Sequence, residues 1–194
     1  MPQLIQPNGP LGAYYDGSTP LVGFNGVPGE AMTAGTGITT GQTGIPYLAY
    51  VQQDGPFVKT TLFIDLQGLA SSTAGDIIGK DGGTANCHFG QFTLARNGAI
   101  FRGQISCVET PATGEPDVDV WSATEATGAE DAAVSGLTET ALQDAAADYT
   151  KGVTKAFTGN LVADQYLYLA SSGGGDAAVY TAGQFVIETW GIKV

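Results

Sequence analysis

HFGQFTLARNGAIFRGQISC, from His88 to Cys107, reads as two apolar-polar alternating segments on either side of Asn97-Gly98. That dipeptide supplies the two positive-φ residues of a two-residue type I′ turn, so the spacing predicts a β-hairpin in which Arg96 faces Ala99. The register then puts Leu94 opposite Phe101, Phe92 opposite Gly103, Gly90 opposite Ile105 and His88 opposite Cys107 on one face. Phe89, Gln91, Thr93 and Ala95 fall on the other face with Ile100, Arg102, Gln104 and Ser106. One face is apolar and one mostly polar, which is the pattern of an antiparallel sheet with one side on a core.

Working outward, short apolar runs separated by turn signals continue from residue 47 to the C-terminus. Strands are expected at 47–51, 57–66, 76–78, 88–94, 99–108, 118–122, 153–157, 165–170 and 179–190, the last broken near Gly183. A helix is expected over Thr138 to Ala147, with Thr138 as its cap and Leu142 almost its only large apolar residue. The fold class is therefore mainly all-β: an antiparallel β-sandwich or jelly roll over residues 47–194 with one short helix.

Residues 1–46 differ in kind. They hold ten of the 29 glycines and six of the nine prolines, so no long regular element is expected and the segment reads as an extended, irregular arm. Tyr14, Tyr15, Leu21 and Phe24 stand in it as large apolar residues that an arm without a core does not bury by itself. They are the candidate contacts with a partner surface.

The bulk composition narrows the function classes. With 19 acidic and 7 basic residues the formal net charge is −12, so nucleic acid and anionic membrane are poor partners. There is no apolar run of about 18 residues and no basic segment leading into an apolar one, so neither an ordinary membrane span nor a secretory signal is expected. The two cysteines, Cys87 and Cys107, lack Cys-x-x-Cys spacing, and in the hairpin register they point to opposite faces. A disulfide between them requires a one-residue slip or a bulge near Gly90.

No catalytic, metal or cofactor residues are expected. His88 is the only histidine; opposite Cys107 it forms a nucleophile pair on paper, but the face is apolar, and a satisfied core or edge histidine is the expectation. Glu115, Asp117 and Asp119 recur at period two with Trp121 continuing the row, which admits a calcium site or a pair of glycosidase carboxylates. Their spacing is not that of an EF-hand, and a solvated acidic face is expected instead. The glycine-rich pieces at 79–83 and 171–176 match no Walker motif and lead into no helix.

The segments KTTLFIDLQGLASSTAGDIIG (Lys59 to Gly79), Ala85 to Leu137, and ALQDAAADYTKG (Ala141 to Gly152) resemble small structural proteins of tailed bacteriophages of the marine and cyanophage type. The resemblance implies a non-enzymatic capsid decoration, or cement, protein, made in the host cytoplasm and carried on the outer surface of the virion. It further implies the phage major capsid protein as partner and a homotrimer as the assembled form. The alternative class is a carbohydrate- or receptor-binding module of a head fibre or tail, with Tyr166, Tyr168, Trp121 or Trp190 as stacking platforms.

Overall fold

The computed structural model of the chain describes residues 32–39, 47–144, 147–173 and 177–194, together with the backbone of 13–15 and 20–22. In chain order the strands are β1 (Ala13–Tyr15), β2 (Pro20–Val22), β3 (Tyr47–Asp54), β4 (Phe57–Asp65), β5 (Leu69–Ala70), β6 (Gly79–Lys80) and β7 (Gln91–Phe92). They continue as β8 (Ala99–Ala112), β9 (Val118–Ala123), β10 (Glu139–Gln143), β11 (Thr154–Ala156), β12 (Gln165–Ser171) and β13 (Ala182–Ile192). Single helical turns, α1 (Thr36–Thr39) and α2 (Leu94–Asn97), interrupt them.

Two sheets carry the fold, one in the order β11-β8-β13-β4-β3 and the other β10-β9-β12-β7. All their pairings are antiparallel. From β4 onward the main strands alternate between the sheets, except that β9 and β10 are consecutive in one of them. This interleaving of two four-stranded sheets is a jelly roll, with β3 added beside β4 as a fifth strand.

The reason lies in the period-two rows. On β4, Val58, Thr60, Leu62 and Ile64 are buried and their neighbours are not. Leu62, Ile64, Ile105, Cys107, Phe185 and Ile187 share one core with Val118, Val120, Leu167 and Leu169 of the other sheet. Tyr149 stands edge-on to Phe185, with ring centroids 5.1 Å apart. The expected break at Gly183 is a bulge: its φ is +133°, and the β13–β8 register shifts between Ala182 and Gln184.

Three local expectations fail. Asn97-Gly98 is not a hairpin turn but the end of a corner that carries the chain from one sheet to the other. Thr93 accepts the Arg96 N–H and caps α2. Asn97 turns inward instead of outward: its carbonyl oxygen accepts the Thr93 N–H at 2.9 Å and its amide donates to Thr60 Oγ1 at 2.8 Å. Gly98 then exits at φ +70°, its Cα so close to Ile192 that a Cβ would lie 2.6 Å from the Ile192 carbonyl oxygen. Consequently β7 pairs with β12, and β8 pairs with β13 and β11.

The helix expected over 138–147 is also absent, because Glu139, Thr140 and Ala141 pair with Ala123, Ser122 and Trp121 as an edge strand. Residues 145 and 146 lie outside the described residues. The strands expected at 76–78 and 88–94 shrink to isolated bridges and the two residues of β7. Both cysteines are free and buried.

Candidate functional site

Cross-strand pairing on the five-stranded sheet sorts its outward side chains into rows, with a β13–β8 register shift between Trp190 and Gly191 before the last of them. Leu48, Phe63, Val186 and Ser106 lie across β3, β4, β13 and β8; Tyr50, Thr61, Glu188 and Gln104 form the next row, then Gln52, Lys59, Trp190 and Arg102. A last row holds Asp54, Phe57, Ile192 and Ala99. Leu48, Tyr50, Phe57, Phe63 and Ile192 are exposed, Phe57 by 55%. Phe63 meets Tyr50 edge-to-face at 6.0 Å.

The polar groups between these apolar side chains hold one another. Lys59 Nζ pairs with Glu188 Oε1 at 2.5 Å, and Gln104 donates to Glu188 Oε2 at 2.9 Å. The Arg102 guanidinium lies 4.9 Å and the Lys59 ammonium 5.5 Å from the centre of the Trp190 ring, within cation–π reach. At the β3–β4 end a groove of about 430 Å³ opens between Gln52, Gln53, Asp54, Phe57, Lys59 and Trp190. Aromatic walls beside two amides and a carboxylate can stack on a flat apolar surface and hydrogen-bond its rim.

The residues singled out in the sequence are placed differently. His88 and Cys107 do not meet: Cys107 pairs with Phe185, whereas the His88 ring packs on Tyr166 with centroids 4.8 Å apart. His88 Nδ1 accepts the Gly90 N–H at 3.2 Å, and burial lowers its pKa. The Cys107 thiol donates to the Glu109 carbonyl, and burial followed by the Glu109 charge raises its pKa. No protein-family model matches the chain, and no curated protein or solved structure matches it either.

Glu115, Asp117 and Asp119 are not a solvated face. Their exposures are 5%, 7% and 7%. Glu115 Oε1 accepts the Asp117 N–H, Ser71 Oγ accepts the Glu115 N–H, and Tyr180 donates its hydroxyl to the Glu115 carbonyl. The Oδ1 atoms of Asp117 and Asp119 are buried without a hydrogen-bond partner. Burial, with the Asp117 and Asp144 charges, pushes the Asp119 carboxyl up to about 6 against the pull of Ser172 and Lys155. Among the described residues no three His, Cys, Asp or Glu side chains are arranged to hold a metal ion.

Of the four stacking candidates, Trp190 alone lies in the outer-face groove. Tyr168 is fully buried with its hydroxyl on the Glu125 carbonyl, Tyr166 backs onto His88, and the Trp121 indole N–H is buried. Tyr14 and Leu21 are register partners in the β1–β2 pair, as are Tyr15 and Pro20. The side chains of Tyr14, Tyr15 and Leu21, and the whole of Phe24, lie outside the described residues. Sequence reading missed the outer face because its members are spread over four strands, and only the cross-strand register brings them together.

Proposed function

We propose that the chain is a non-enzymatic decoration protein of a tailed-phage head, docking on the outer surface of the assembled major capsid protein through the outer face of its five-stranded sheet. The supporting observation is the gathering of Leu48, Tyr50, Phe57, Phe63 and Ile192, all exposed, on one face of one sheet. Exposed large apolar side chains gathered on one sheet face, with polar groups between them, have the make-up of a protein-contact face. That face also carries Lys59 and Arg102, two of only seven basic residues in the chain, so it meets an acidic neighbour with less repulsion than the rest of the surface. Many weak copies on one lattice gain avidity without tight individual contacts. Tyr14, Tyr15, Leu21 and Phe24 of the arm are proposed additional contacts, and the virion exterior is the proposed location.

The test is a binding isotherm of purified chain on heads stripped of it. Phe57→Ser/Phe63→Ser should weaken occupancy by at least about tenfold, since each lost aromatic anchor costs about 1–2 kcal/mol. The thermal midpoint should hold, because both side chains are exposed. Unchanged occupancy by the folded variant would remove this face from the reading.

A second reading is favoured by the groove itself. Phe57 and Trp190 beside Gln52 and Gln53 have the chemistry of a saccharide subsite, as in a receptor-binding module of a head fibre or tail. Glycan binding by the isolated protein that disappears in Trp190→Ala would support it over head docking.

A further inference from the structure

We infer that β3 is an assembly edge and that a second copy of this chain occupies it, strand against strand, about a two-fold axis at Tyr50. Among the described residues the two sheets of the sandwich have four edges. Three are short or irregular: β7 has two residues, β11 has three, and β10 has five with a register shift between Ala141 and Gln143. Short strands and bulges are the ordinary means of blunting an edge. The fourth edge, β3, has eight residues paired to β4 without a shift from Tyr47↔Ile64 to Asp54↔Phe57. It contains no lysine, no proline and one charge, Asp54, at its end.

The occupant follows from self-complementarity and charge. In a continuous antiparallel sheet, directly opposed residues share a face, so a two-fold pairing must oppose residues of the same parity. Centring it on Tyr50 pairs 47–53 of one copy with 53–47 of the other. On the outer face Tyr50 then meets Tyr50 and Leu48 meets Gln52; on the core side Ala49 meets Val51. Asp54 falls beyond the paired segment. Moving the centre to Val51 places Asp54 opposite Leu48, and moving it to Ala49 shortens the pairing to five residues. In a chain of net charge −12, this edge is where two copies approach without opposing carboxylates.

Three exposed apolar groups lie together at the same edge. Leu48 and Tyr50 lie on β3 and Phe63 on the adjacent strand, where Tyr50 and Phe63 are in ring contact; at the opposite edge β11 presents Thr154 and Ala156, and the exposed Phe101 and Val108 of β8 stand apart from one another. Pairing brings the Tyr50–Phe63 contact of each copy against that of the other. It also joins two outer faces into one surface on the same side of a ten-stranded sheet. The pairing belongs to the free protein and does not depend on docking to a head.

The test is the mass of the full chain in solution by light scattering and sedimentation across a concentration series. Twice the 19.8-kDa chain mass is expected at high concentration. Tyr50→Lys opposes two ammonium groups at the axis and should shift the midpoint of association at least about tenfold upward, with an unchanged circular dichroism spectrum. Thr154→Lys, on the opposite edge, should leave association as it is. Tyr50→Cys should form an intermolecular disulfide under mild oxidation, which keeps the pairing testable if the lysine variant does not fold. A monomer at every concentration, a mass of three chains, or a dimer indifferent to Tyr50→Lys that fails to cross-link at position 50 would each overturn the inference.

Discussion

Asp119→Asn should make the protein more stable at pH 7.5 than the parent chain and leave it nearly unchanged at pH 4. The folded chain keeps the Asp119 proton up to about pH 6, whereas an unfolded aspartate releases it near 3.8. Between these values the native state binds more protons than the unfolded state, so stability falls as pH rises through the window. A difference of roughly two pH units corresponds to about 3 kcal/mol at about 1.4 kcal/mol per unit. Above pH 6 the parent chain holds a buried charge beside Asp117 with one oxygen unpartnered, and that cost is present in full. The asparagine carries no charge to bury, so the variant should gain on the order of 2–3 kcal/mol at pH 7.5. Urea denaturation of both chains at pH 4, 5, 6 and 7.5 reads the difference directly, and the carboxylates remote from Asp119 cancel in the comparison. A difference that is the same at pH 4 and pH 7.5, or larger at pH 4, would refute the assignment of a protonated, buried Asp119.

Two further outcomes follow from the packing. Asn97→Ala removes the acceptor of the Thr93 N–H and the donor to Thr60 Oγ1 inside the corner, so a loss of about 2–4 kcal/mol in urea denaturation is expected; a loss below about 0.5 kcal/mol would show that the corner does not depend on it. Cys87 and Cys107 are buried, and the Cys87 thiol is pushed up to about 11, chiefly by burial. An aromatic disulfide reagent should therefore find almost no reactive thiol in native protein at pH 8 and two in denaturant. Rapid native reaction, or no thiol after unfolding, would contradict this.

The sheets were legible in the sequence wherever one face of a strand is covered and the other is open. Phe57–Asp65 reads as a strand from its run of apolar and β-branched residues, and every second residue from Val58 to Ile64 is buried because only one face meets the core; Gly183 marks the bulge in β13 because a positive φ favours glycine. The failures share a cause. Asn97-Gly98 satisfies the chemistry of a hairpin turn, but the Asn97 amide finds Thr60, far away in sequence, and that contact selects a helical turn instead. Glu139–Gln143 is made mostly of good helix formers, Glu, Ala, Leu and Gln, yet it becomes a strand because β9 offers it an open edge and that pairing overrides local propensity. Glu115, Asp117 and Asp119 read as a wet face by residue type alone; their burial is set by Ser71, Ser172, Gly173 and Tyr180, which come from other parts of the chain. The outer face of the five-stranded sheet was not legible for the same reason, since Leu48, Phe63 and Trp190 come onto one face only through β4 and β13.

Head docking is tested most directly by a cryo-electron-microscopy reconstruction of the phage particle, with the copy number fixed by peptide mass spectrometry. The expected result is this chain in hundreds of copies over the outer shell, with Phe57, Phe63 and Trp190 turned toward the major capsid protein. Its absence from the particle, or a shell in which that sheet face points to solvent, would contradict the proposed function.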